Sequence, residues 1–168
     1  MSFLPQKYDT TDLEYALIDN SQTISIGEAI IPGVQGDTSV ILTAGGTLGP
    51  VLGVVLGFKD TAGSALEKSS VAAASDNVTV AEIKAAYLPA YKDVRYISDL
   101  DAAAETTDNS SAFGNFSIDS TGLLVDESTV QAFSVLENMQ LFSFGLTGKD
   151  TTQVSVRFIS TILGYNIA

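Results

Sequence analysis

Histidine, cysteine and tryptophan are all missing from the sequence, and each absence removes a class of function. Without histidine the chain lacks the commonest general base, the commonest transition-metal ligand and the usual activator of a serine or cysteine nucleophile. Without cysteine there are no disulfides and no thiolate metal sites, and nothing in the chain depends on an oxidising compartment. Without tryptophan, and with few aromatics beside its acidic residues, the chain shows no platform on which a sugar would stack. Basic residues are scarce too. Lys7, Lys59, Lys68, Lys84, Lys92, Arg95, Lys149 and Arg157 stand singly, with only Lys92 and Arg95 near each other in sequence, against 20 Asp and Glu. The net charge of -12 repels phosphate backbones and anionic lipid heads, so neither nucleic acid nor a membrane surface is expected as a partner. Long apolar runs are also missing. The stretch from Leu48 to Phe58 is interrupted by Gly49, Pro50, Gly53 and Gly57, and nothing approaches the roughly 20 apolar residues of a membrane helix. The opening MSFLPQKYDTTDLEY has neither the charged start nor the apolar run of a signal peptide, so synthesis in a cytoplasm is expected.

What is present suits a folded chain. Its 168 residues are 45% hydrophobic and 17% charged, enough to build one core in one domain, or in one domain plus an arm. Residues 1–20 carry Phe3, Leu4, Tyr8, Leu13 and Tyr15 without a period of 2 or 3.6, which predicts an extended N-terminal arm. Its large apolar side chains are expected to dock in a partner, and residues 21–168 are expected to fold without residues 1–14. From Gln22 the pattern becomes strand-like. Ile24 and Ile26 alternate with polar residues, and Ala29–Ile31, Val40–Thr43 and Val51–Phe58 follow as short β-rich runs. The glycines Gly53 and Gly57 inside an apolar strand imply a bend, a bulge or close backbone packing. The low charge of Val51–Phe58 suggests an apolar strand that extends beyond one chain's core.

Residues 61–75 are small and polar and read as a surface loop. The strongest helix signal follows. Thr79 and Glu82 have capping-box spacing ahead of Ile83, Ala85, Ala86, Tyr87 and Leu88, with Pro89 as the stop, which predicts a helix of two to three turns. Beyond it, strands are expected around Tyr91–Ile97, on both sides of the turn Ser120-Thr121-Gly122, at Leu141–Leu146 and at Gln153–Ile159. The last of these places Val154, Val156 and Phe158 on one face, against Ser155 and Arg157. Residues 127–139 place Val130, Phe133, Leu136 and Glu137 at helical spacing, but their β-branched and serine content leaves a helix there open. The expected fold is therefore mainly β: a small β-barrel or sandwich with one short helix and the N-terminal arm, residues 21–168 forming a single β-rich domain.

Tests for chemistry give little. Ser64 and Lys68 are four apart in a small-residue loop, without the strand-turn-helix setting of a nucleophile. Asp99, Asp101, Glu105 and Asp108 form an acidic stretch without the spacing or the closing Glu of a calcium loop, and a solvated loop explains them better. Gly45 to Pro50 is glycine-rich but has no Lys-Ser/Thr ending, so a tight turn is expected there and not a phosphate cradle. The Asn-x-Ser/Thr tripeptides at Asn77, Asn109 and Asn115 lack a secretory context. No catalytic, cofactor-binding or metal-ligating residue is assigned. The candidate partner-binding residues are Phe3, Leu4, Tyr8, Leu13 and Tyr15.

The strings YALIDNSQTISIGEAI (Tyr15 to Ile30), GPVLGVVLGF (Gly49 to Phe58), NFSIDSTGLLVDES (Asn115 to Ser128), LFSFGL (Leu141 to Leu146) and VSVRFIS (Val154 to Ser160) together resemble the capsid decoration, or cement, proteins of tailed bacteriophages. The likeness is one of pattern and covers most of Ser21 to Ser160. It implies a non-enzymatic structural protein on the capsid exterior of a virion, binding the major capsid protein and bracing neighbouring capsomers, often as a homotrimer. The helix and the 61–75 loop make the chain larger than the smallest such proteins. The rival expectations are another virion part, such as a head-fibre base or tail subunit, and a carbohydrate-binding module.

Overall fold

The structure is a computed structural model that describes residues 2–18, 22–32, 40–45, 51–72, 83–101, 112–131, 141–146 and 153–159. Nearly all of its regular structure is β. One six-stranded antiparallel sheet runs, in spatial order, β1 (Leu4–Pro5), β10 (Tyr96–Asp99), β14 (Gln153–Phe158), β13 (Leu141–Leu146), β11 (Ala112–Ile118) and β12 (Val125–Gln131). A second runs β4 (Ala29–Pro32), β5 (Val40–Thr43), β2 (Glu14–Ile18), β9 (Lys84–Pro89), β6 (Gly53–Lys59) and β7 (Ala65–Leu66). This second sheet curls until β4 pairs with β6 as well as β5, so β4, β5, β2, β9 and β6 form a ring. Within it β2 and β5 are parallel, Leu17 facing Val40. A separate two-stranded pair joins β3 (Thr23–Ser25) to β8 (Ser70–Ala72). The expectation of a mainly β fold, a small barrel or sandwich, therefore holds.

Alternation decides the packing. In β14, Val154, Val156 and Phe158 are buried while Arg157 is exposed, the pattern of a strand with one solvated face. The ring behaves differently. Successive residues of β4, β6 and β9 (Ala29 and Ile30, Val54 and Val55, Leu88 and Tyr87) feed two separate cores. The first core lies between the open sheet and one flank of the ring and holds Phe3, Tyr96, Phe116, Leu141, Val156 and Phe158. The second, with Ile18, Ile30, Val55, Phe58 and Tyr87, occupies the other face of the ring strands and is joined by Ile24 of β3 and Val71 of β8.

This arrangement corrects three expectations. The helix over residues 83–88 is instead strand β9, the partner of both β2 and β6. Five of its six residues are buried, and a strand covered on both faces shows a continuous apolar run that a helix could equally produce. Thr79 and Glu82 of the supposed cap lie outside the described residues. The run Val51–Phe58 does not reach beyond the chain: Val51, Val54, Val55 and Phe58 are all buried in its own cores. The loop at 61–75 is exposed over most of 61–70, as expected, but it also contributes β7 and β8 and buries Val71. The region at 127–139 is strand through Gln131 and lies outside the described residues beyond it.

The glycines do what their places in the strand implied. A Cβ on Gly53 would fall on the Leu88 carbonyl oxygen of the adjacent strand. Gly57 sits where the β6–β9 register shifts between Val55 and Gly57, with open space around it.

Candidate interaction surface

The N-terminal segment is fastened to the domain at three levels. Backbone hydrogen bonds run from the Phe3 N–H to the Gly27 carbonyl (3.1 Å) and from the Gln6 N–H to the Arg95 carbonyl (2.9 Å). Gly27, at φ 81°, makes the left-handed turn that presents this carbonyl, and the buried Glu28 carboxylate closes the turn by accepting the Ser25 N–H at 2.7 Å. The segment also contributes strands at two points, β1 beside β10 and β2 between β5 and β9. Finally, the Phe3 ring enters the first core, 6.4 Å from Tyr96 and 5.4 Å from Phe158, the latter two rings being 5.1 Å apart.

The five residues expected to dock in a partner therefore separate. Phe3 is 1% exposed and Leu13 packs against the same core, so both are anchors on their own chain. That corrects the picture of residues 1–20 as an arm apart from the domain. Leu4, Tyr8 and Tyr15 are exposed, but they do not share one surface. Leu4 sits at the β1 edge of the open sheet opposite Ile97. Tyr15 is on the ring, its hydroxyl 2.9 Å from the Lys59 ammonium, which also lies over its ring at 4.4 Å. Tyr8 lines a groove of about 790 Å³ between residues 6–12 and 92–95.

That groove is where charge collects. β1 pairs with β10 and β10 with β14, which brings the stretch after β1, the stretch before β10 and Arg157 side by side. Lys7, Lys92 and Arg95 line the groove, with Asp9, Asp12 and Asp93 among them. Lys92 bonds Asp12 at 2.7 Å, and this hydrogen bond holds its ammonium above the usual lysine range. Asp9 caps a short 3-10 turn at Thr10–Asp12 by accepting the Thr11 N–H, which holds its carboxyl below the ordinary value of 3.8. Arg157 reaches Asp93 at 3.2 Å. The Arg95 guanidinium lies over the Phe144 ring, 3.8 Å from its centre, and Phe142 packs edge-on against Phe144. Among the described residues, neither Lys7 nor Arg95 meets a carboxylate.

Beside the groove, Glu14 accepts hydrogen bonds from two phenols, Tyr87 and Tyr91, each at 2.8 Å. Burial, followed by the bond to Glu14, pushes the Tyr87 phenol far up, and the same carboxylate raises that of Tyr91. A carboxylate already holding two donors is a brace between β2 and the 90–92 turn, poorly placed to take a proton from a substrate.

Ser64 and Lys68 are both exposed in the 61–70 stretch. Asp99 and Asp101 are described, whereas Glu105 and Asp108 lie outside the described residues, and among those described no three acidic side chains converge as a metal site. Asp119 is buried but satisfied, accepting from the Thr121 N–H and hydroxyl and from the N–H groups of Leu123 and Leu124. It shapes the turn expected at 120–122. Sequence reasoning missed the groove. Its cations come from positions 7, 92 and 95, and the closeness of Lys92 to Arg95 was the only signal. Comparison with protein-family models, curated protein sequences and solved structures gives no match.

Proposed function

We propose that this chain is a virion structural protein that binds the outside of a bacteriophage capsid, self-associates and stabilises contacts between capsomers, acting by binding and not by chemistry. The observation that carries the reading is the N-terminal segment. Phe3 and Leu13 fix it to the core while Tyr8 stays exposed in an open groove and Leu4 stays exposed at the β1 edge of the open sheet. A segment ordered in advance presents contact groups without the entropy cost of ordering them on binding, about 1–2 kcal/mol per residue for the backbone. Two further points support it: the mainly β architecture, and the sequence pattern shared with capsid decoration proteins. Many weak contacts per copy, repeated by the symmetry of a shell, would supply affinity through avidity.

The test is the copy number in purified particles of the phage that encodes the chain, measured by quantitative mass spectrometry, together with surface labelling of intact particles. A decoration protein is present in hundreds of copies and labels from outside. A few copies per particle would assign it to a head-fibre base or tail, and absence from the particle would overturn the reading.

A further inference from the structure

We draw no further inference here: the strongest candidate, the outer face of the open sheet where the exposed Leu4 and the half-buried Ile97, Phe142 and Phe144 lie with Arg95 over the Phe144 ring, carries nothing because no observation in the structure shows what covers it.

Discussion

Replacing Phe3 by alanine tests whether the N-terminal segment belongs to the core or to a partner. The ring is 1% exposed and touches Tyr96 and Phe158. Returning such a side chain to water costs about 1.5–3 kcal/mol of transfer free energy. Two lost aromatic contacts add about 0.5–1.5 kcal/mol each, and the unfilled space a further cavity term. These terms, about 2.5–6 kcal/mol before the cavity, bracket the range of about 3–5 kcal/mol seen for buried Phe to Ala changes, a large share of the 5–15 kcal/mol, roughly, that holds a domain together. The neighbouring Leu4 is 50% exposed, and Leu4→Ala should cost under about 0.5 kcal/mol. Urea unfolding followed by circular dichroism measures both, with the slope compared to confirm that the unfolded state is unchanged. Deleting residues 1–14 should be at least as damaging as Phe3→Ala, since it also removes β1 and Leu13. A Phe3→Ala loss below about 1 kcal/mol, or a deletion variant as stable as the full chain, would refute the placement of Phe3 in the core and restore the free arm.

Tyr96→Phe should leave stability unchanged or raise it by about 1 kcal/mol, because among the described residues the buried hydroxyl has no hydrogen-bond partner to repay its desolvation; a clear loss in thermal melting would mean that the hydroxyl is bonded. Gly53→Ala should destabilise by about 2 kcal/mol or more, its Cβ meeting the Leu88 carbonyl, whereas Gly57→Ala, with open space around it, should be tolerated; equal effects in denaturant titration would contradict the register shift. Tyr87, Tyr91 and Tyr96 all have phenols raised above the ordinary 10.0. A folded-state value above the unfolded one contributes stability that is complete below pH 10 and is lost as pH rises through the folded value, so stability should fall only in strong alkali. Glu14→Gln should return Tyr91 toward 10.0, read as earlier tyrosinate absorbance, and an unchanged titration would show that Glu14 does not hold it.

The parts of the fold that could be read directly are those with one wet face. β14 announces itself because Val154, Val156 and Phe158 point inward while Arg157 stays exposed. The 120–122 turn is marked by Gly122, which adopts φ 76°. β9 was misread for the opposite reason: wedged between β2 and β6 and buried on both sides, it has no alternation to show. Residues 1–18 defeat pattern reading because their anchors are solitary. Phe3 precedes a two-residue strand, and β2 is stabilised by a parallel neighbour and an antiparallel one, pairings that local sequence does not encode. The groove was hidden because Lys7 is distant in the chain from Lys92 and Arg95 and is brought to them only by the pairing of β1 with β10.

The ring of five strands uses residues 14–89 alone, whereas the open sheet cannot finish its core until Phe3 meets Phe158 across most of the sequence. Loop-closure entropy makes such distant pairings late and slow. On a ribosome the ring can close while the rest of the chain is still being made, with Phe3 waiting, uncovered, for a strand not yet synthesised. We therefore expect two stages of assembly. Pulsed hydrogen exchange should protect the amides of β2, β6 and β9 ahead of those of β10 and β14, and simultaneous protection would show instead that the two sheets fold as one unit.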